Sequence, residues 1–171
     1  MADIQIKSYR EQYGVNYFSV IPCNIYGPSD NYNLESGHVI PMLIHKMYLA
    51  KKNKTEFKVW GSGRPLREFI FSEDVAKLTR LLYDNYDGSD PVILSTSEEI
   101  SIGSVVEMIA DIMEYDGEII FDKSKPDGQY RKPSDNSVIK EMFLNFEFTP
   151  IREGLEKSIS WFNENYPKVR L

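Results

Sequence analysis

The residues best suited to chemistry lie in Trp60-Gly61-Ser62-Gly63-Arg64-Pro65-Leu66-Arg67-Glu68-Phe69-Ile70-Phe71-Ser72-Glu73-Asp74-Val75-Ala76. Two glycines allow a tight turn and close approach of the backbone to a ligand. Arg67 offers a planar fork of donors that matches a diphosphate. Ser72 is placed to cap a helix whose first turn carries Glu73 and Asp74. A plain Gly/Pro turn between a strand and a helix explains the same letters. His38 is the second candidate, because imidazole gives or takes a proton near neutrality; a histidine that merely enters a helix is the structural alternative. His45 follows after ~10.5 Å of helical rise, too far for both to ligate one metal. It reads as a surface or pocket-rim residue. No Cys or acidic cluster nearby has ligand spacing, so no metal is expected.

Tyr48-Leu49-Ala50-Lys51-Lys52 contains a Tyr-x-x-x-Lys. A helix would put both side chains on one face, as a hydroxyl and a pKa-lowering lysine require. No strand-borne serine precedes it at a suitable distance. The segment reads instead as the solvated end of a helix, with Lys51, Lys52 and Lys54 near its C-terminus.

These groups need elements to hold them. Residues 2–13 read as a helix ended by Gly14, and 16–21 as a strand stopped by Pro22. The Asn-, Gly- and Pro-rich 24–36 read as loop. Residues 37–50 carry Val39, Met42, Leu43 and Lys46 at helical spacing, with Pro41 tolerable only in the first turn. Short strands follow at 57–60 and 68–71. A helix over 72–86 buries Val75, Leu78, Leu81 and Leu82. A strand spans 92–94. Ser101 caps a helix to residue 113, with Val105, Ile109, Ile112 and Met113 inward. A strand spans 118–121. Thr149-Pro150 opens the last helix in cap-then-proline fashion, its buried stripe being Ile151, Leu155, Ile159 and Phe162. Residues 123–137 are linker-like, but Tyr130 and Arg131 within them favour a binding loop. The alternation is that of an α/β protein.

Composition narrows the function classes. The chain has 171 residues, 42% hydrophobic and 27% charged, as a globular domain does. Its 26 acidic and 20 basic residues give a net charge of −6, which argues against a general nucleic-acid binder. The single cysteine, Cys23, excludes an intrachain disulfide and a Cys-cluster metal site. No apolar run approaches the ~20 residues of a membrane span. A secretory leader is not apparent, so a cytoplasmic location is expected. No internal repeat is visible.

The Trp60–Ala76 stretch resembles the substrate-binding signature of extended short-chain dehydrogenases that act on nucleotide sugars, the NAD-dependent epimerase family. The likeness runs nearly end to end. Phe18-Ser19-Val20-Ile21-Pro22-Cys23-Asn24-Ile25-Tyr26-Gly27-Pro28-Ser29-Asp30-Asn31 resembles the family's strand and "YGP" loop. Gly37-His38-Val39-Ile40-Pro41 resembles the start of its substrate-domain helix, and Phe121-Asp122-Lys123-Ser124-Lys125-Pro126-Asp127-Gly128 a late substrate loop. Together they are similar to the C-terminal half of the GDP-L-fucose synthases, NADPH-dependent epimerase-reductases of GDP-4-keto-6-deoxymannose.

The resemblance implies an α/β fold in two parts. Residues 1–35 and 71–100 would be the C-terminal part of a Rossmann-like sheet; 36–70 and 101–171 would be the small nucleotide-sugar domain. It implies His38 as the acid of the epimerase step, paired in the family with a cysteine that Cys23 does not match. It implies substrate contacts at Asn24, Val39, Leu43, Lys46, Val59, Trp60, Arg67 and Lys125. Lys46 stands where related enzymes often carry arginine, which keeps charge but loses a bidentate fork. Pro22, Asn24 and Ile25 would line the nicotinamide end of NADP(H) in an intact enzyme. Solvated lysines remain the bland alternative for Lys46 and Lys125, and simple core burial for Val59 and Trp60.

The glycine turn that seats a dinucleotide does not occur in this sequence, and the family's Tyr-x-x-x-Lys would precede Met1. The chain by itself is therefore expected to bind no NADPH and to reduce no keto-sugar. The partners implied are a GDP-sugar and a missing N-terminal half or a chain that supplies it, with a homodimer left open. A non-catalytic nucleotide-sugar-binding remnant, a split subunit, or another nucleotide-sugar epimerase or dehydratase are the rival readings.

Overall fold

Short parallel strands, each followed by a helix or loop, organise the chain. The computed structural model describes residues 2–171. In chain order the elements are α1 (Ala2–Tyr13), β1 (Val20–Pro22), β2 (Asn24–Tyr26), α2 (Val39–Asn53), β3 (Phe57–Trp60), β4 (Leu66–Phe71), α3 (Ser72–Asn85), β5 (Val92–Leu94), β6 (Glu99–Ser101), α4 (Ile102–Ile112), β7 (Ile119–Asp122), α5 (Ser137–Met142) and α6 (Ile151–Asn165). β1 pairs in parallel with β5, with Val20 opposite Val92. β4 lies between β2, its parallel neighbour, and β6, its antiparallel one. β3 and β7 form a third, parallel pair. The expected α/β alternation is present, in mixed parallel and antiparallel sheets.

Local chemistry sets several boundaries. Ser101 caps α4 by accepting from the Ser104 amide at 3.0 Å, which satisfies one of the donors that every helix start leaves open. Pro41 falls in the first turn of α2, where its missing N–H costs nothing. α2 ends with Lys54 in the left-handed region at φ 53°, and Thr55 N–H returns to the Ala50 carbonyl at 3.0 Å.

Two apolar clusters form. The larger joins α2, α4 and α6 to β3 and one face of β4; Ile44, Met47, Val105, Leu155 and Phe162 are fully enclosed in it. The smaller gathers Ile70, Leu78, Leu82, Val92, Leu94 and Ile139. β4 separates them by alternation, since successive side chains of a strand point to opposite faces. Phe69 and Phe71 enter the first cluster and Ile70 the second.

The structure departs from the sequence reading in several places, among them the strand expected over 16–21, which is β1 over Val20–Pro22 with Pro22 inside it. Asn24–Tyr26, expected as loop, is strand β2, because the open edge of β4 supplies ladder partners that no local pattern reveals. β6 and α5 were not foreseen, being short and aperiodic. Ser72 does not cap α3: Phe71 holds the cap position and Ser72 is the first helical residue. A Cβ on Gly27 would lie 2.2 Å from Ser72 Oγ, so a side chain there is excluded. Thr149 does not cap α6 either. Its N–H and Oγ1 donate to the Asp74 carboxylate at 2.7 and 3.0 Å, and Pro150 takes the cap position. Asp74 is buried and needs those donors more than the helix does. His45 is buried rather than at the surface, with Nδ1 2.8 Å from the Tyr32 carbonyl.

Phe162 closes the larger cluster against Tyr32, His45, Tyr48 and Tyr166. Phe162→Ala should therefore destabilise the chain by about 3–5 kcal/mol, read as a lowered urea midpoint at unchanged m-value.

Candidate functional site

His38 stands immediately before α2, in extended conformation at the cap position. It lines a cavity of ≈ 460 Å³ with Cys23, Asn24, Ile25, Gly37, Val39, Ile40 and Phe69. Its Nδ1 lies 3.3 Å from Asp30 Oδ1. Asn24 is anchored by donating from Nδ2 to the Glu68 carbonyl at 2.7 Å. Burial pushes the Cys23 thiol up to about 11, so at neutral pH it is neither a nucleophile nor a ready proton donor.

A second group of candidates meets around Trp60, whose ring is 65% exposed at the end of β3. Lys46 Nζ lies 4.8 Å from the ring centroid and Lys125 Nζ 6.0 Å, within cation–π range. Burial lowers the pKa of Lys46. The turn after Trp60 is held by Asp127, which accepts from the Ser62 amide and from Ser62 Oγ. Gly61 is in the left-handed region at φ 83°, and a Cβ there would lie 2.5 Å from Asp127 Oδ1. The segment after β7 thus lies along the Trp60 turn. Further on, Gly128 approaches the Arg67 guanidinium. Arg67 is half-buried and donates to the Leu66 carbonyl at 2.6 Å. Neither it, Lys46 nor Lys125 makes an ion pair among the described residues.

Two elements connect the groups. Val39 and Lys46 are two turns apart on one face of α2, ~10.5 Å along its axis. Arg67 and Phe69 share one face of β4, and Phe69 lines the His38 cavity. The opposite face of β4 carries Glu68, buried beneath the site. Its carboxylate accepts from Ser95 Oγ at 2.6 Å, from the Ser134 amide at 3.1 Å and from Ser134 Oγ. Burial raises its pKa, but the hydrogen bonds from Ser134 and Ser95 and the charge of Arg131 outweigh burial and hold it below the ordinary carboxylate range. Arg131 also pairs with Glu99, Nε to Oε2 at 2.6 Å, and the Tyr130 carbonyl accepts from Leu66 N–H at 2.8 Å. Residues 123–136 are thereby tied to β4 and β6 along their length.

Of the residues singled out from sequence, the structure brings Asn24, Ile25, His38 and Val39 together in one cavity, and Lys46, Trp60 and Lys125 together in one cluster. Arg67 lies beside the loop that carries Lys125. Leu43 and Val59 are core side chains. Pro22 closes β1 one residue before the cavity lining begins. Sequence reasoning missed Asp30, Asp127 and Glu68. Asp30 and Asp127 lie in aperiodic loops, and their partners are eight and sixty-five residues away. Glu68 could have been suspected, as an acid within a strand of otherwise apolar residues.

The fold and site define a class. The chain belongs to the NAD dependent epimerase/dehydratase family, whose sequence pattern matches residues 1–103. Among relatives, it is 48% identical over 172 residues to a GDP-L-fucose synthase of Dictyostelium discoideum, covering 99% of this chain and 54% of that protein. Among solved structures, it superposes on a GDP-L-fucose synthetase from Naegleria fowleri with a TM-score of 0.96 at 41% identity, covering 99% of this chain and 54% of that one. The form of that enzyme bound to NADP gives 0.95 at 40% identity, covering 99% and 55%. The chain spans about half the length of these relatives.

The depressed pKa of Glu68 fixes the sign of a pH effect. Its contribution to stability is complete above the ordinary value of 4.5 and is lost as pH falls through the lower folded-state value. Glu68→Gln should lower the urea midpoint at neutral pH, and the gap from the unaltered chain should narrow below pH 4.5. A gap that widens on acidification would contradict the assignment.

Proposed function

We propose that this chain carries the GDP-sugar side of a GDP-L-fucose synthase-type enzyme, which epimerises GDP-4-keto-6-deoxymannose and reduces it with NADPH. The observation that carries the reading is a pair of lysines, Lys46 and Lys125, over an exposed Trp60, with Arg67 beside the loop that carries Lys125; none of the three makes an ion pair among the described residues, and Lys46 and Arg67 stand on α2 and β4, which also line the His38 cavity. Such a set suits a nucleoside diphosphate: the ring offers a stacking face and the cations neutralise the phosphates. The hexose then lies toward His38, Asn24 and Val39. There His38 gives a proton to a carbon beside the ketone as the C–H bond re-forms. Cys23, neutral and half-buried, does not supply the second proton-transfer group, which this reading assigns to additional chain.

NADP(H) enters the same reading as the hydride source. Asn24 and Ile25 lie at the mouth of parallel strands, where open α/β sheets bind ligands, and with Pro22 they fit the nicotinamide end. Among the described residues none fits the pyrophosphate, which needs a glycine turn at a helix N-terminus. The dinucleotide seat and the Tyr-x-x-x-Lys pair would come from further polypeptide. In the same reading 1–35 and 71–100 belong to the dinucleotide-binding unit, and 36–70 and 101–171 to the substrate unit. The two apolar clusters follow that division only in part: the smaller draws mainly on the first unit, with Ile70 and 137–148 packed on it, and the larger mainly on the second, with Tyr26, Tyr32 and Phe71 added from the first. No helix among the described residues is long and apolar enough to cross a membrane.

Two variants test the reading together by calorimetric titration with GDP. Arg67→Ala should weaken binding about 10–100-fold, the range for a lost charge-assisted contact, and added salt should weaken the unaltered chain. His38→Gln should leave GDP affinity nearly unchanged but, in the assembled enzyme, slow solvent-deuterium incorporation into the sugar about 10²–10⁴-fold. Equal GDP affinity in Arg67→Ala and the unaltered chain would return Arg67 to a structural role. Unchanged deuterium incorporation in His38→Gln would remove the acid assignment.

A further inference from the structure

We propose that Asp30 is a positioning residue for His38, fixing a proton on Nδ1 so that the proton exchanged with the sugar is always the one on Nε2. This rests on the reading of His38 given above. The two side chains differ sharply in exposure: His38 is 76% exposed and Asp30 only 15%. An imidazole so exposed is free to turn about two bonds unless something holds it. Asp30 Oδ1, 3.3 Å from Nδ1, is the one hydrogen-bonding partner of the ring among the described residues.

Asp30 is itself held. Its Oδ1 accepts from the Asn31 amide at 2.6 Å. The following loop is closed by its own side chains: Asn33 Oδ1 accepts from the amides of Glu35 and Ser36, each at 2.8 Å. Gly37 N–H returns to the Asn33 carbonyl at 2.9 Å, and a Cβ at Gly37 would lie 2.4 Å from that oxygen. Tyr32 anchors the loop to the core, buried and stacked near Trp161, with His45 against its carbonyl. The loop therefore presents a carboxylate to the histidine from a fixed place.

The chemistry follows from what each group can do. An ionised carboxylate only accepts hydrogen bonds, so the ring nitrogen facing it carries the hydrogen. The neutral ring is then the Nδ1–H form, with the lone pair on Nε2. When His38 acts as acid, the Nε2–H bond breaks and a C–H bond forms at the sugar carbon. The pair of electrons stays on Nε2, and the ring is left neutral with its Nδ1–H unchanged. Among the described residues Cys23 is the only other ionisable side chain lining the cavity, and burial keeps it neutral.

The chain contains two histidines, so imidazole nitrogen spectra of the ¹⁵N-labelled chain read both directly. His38 should be mainly Nδ1–H in its neutral form, and Asp30→Ala should shift it toward Nε2–H. His45 faces a carbonyl through Nδ1, so it should stay Nδ1–H in both and report that the fold persists. If Asp30→Ala disturbs His45, Asp30→Asn, which keeps the shape with a weaker acceptor, should give an intermediate His38 ring. A mainly Nε2–H His38 in the unaltered chain, or ring shifts indifferent to Asp30, would overturn the proposal. In the assembled enzyme Asp30→Ala should reduce deuterium incorporation at least tenfold without changing GDP affinity. The expected tautomers with incorporation unchanged in both Asp30→Ala and His38→Gln would overturn the acid role of His38, leaving the Asp30 contact itself intact.

Discussion

The two-residue period of β4 is the constraint on which the rest depends. Residues 67, 69 and 71 face one way, 68 and 70 the other. That alternation puts Arg67 and Phe69 on the site side while Glu68 goes beneath it with Ile70. A shift of register by one residue would exchange them, burying a guanidinium and exposing the carboxylate that ties down the neighbouring loop. The register is fixed from both edges, by Asn24 opposite Phe69 in β2 and by Ile100 opposite Arg67 in β6. Asn24 adds a side-chain bond to the Glu68 carbonyl, so the same residue lines the cavity and locks the strand behind it.

From that strand the loop at 123–136 is hung. Each contact is modest alone, but the loop is held at several points, by Ser62 with Asp127, Leu66 with Tyr130, Glu99 with Arg131 and Glu68 with Ser134. Ordering a polar loop costs backbone and side-chain entropy. The distributed contacts offset that cost and keep the exposed Lys125 beside Trp60. The candidate site thus draws on α2, the β3–β4 turn and this loop, none of which would form it alone.

The sequence was most legible where a residue acts through its neighbours in the chain. The Ser101 cap, the strand at 92–94, the Pro41 position and the buried stripes of α4 and α6 follow from local propensity and periodicity. It was least legible where a distant partner decides. Thr149 reads as a cap until Asp74 claims its donors. His45 reads as a rim residue because nothing nearby shows that Tyr32 offers it a carbonyl and Phe162 a ring. The site residues came mostly from resemblance. Physical reading alone raised Arg67 and His38 as candidates but left a plain turn equally good for the first and favoured a helix-entering histidine for the second, and it left Trp60 and the lysines open. Asp30 escaped notice because its role depends on a loop closed by Asn33 rather than on any spacing.

The central claim is that the His38 cavity and the Trp60 cluster are two ends of one GDP-sugar site. Nuclear magnetic resonance on the chain titrated with two ligands tests it most directly. GDP should move the indole signal of Trp60 and leave the His38 ring unmoved; GDP-mannose, which adds the hexose, should move both, and Trp161 in neither case. A His38 ring that ignores GDP-mannose while Trp60 responds to it would contradict the account.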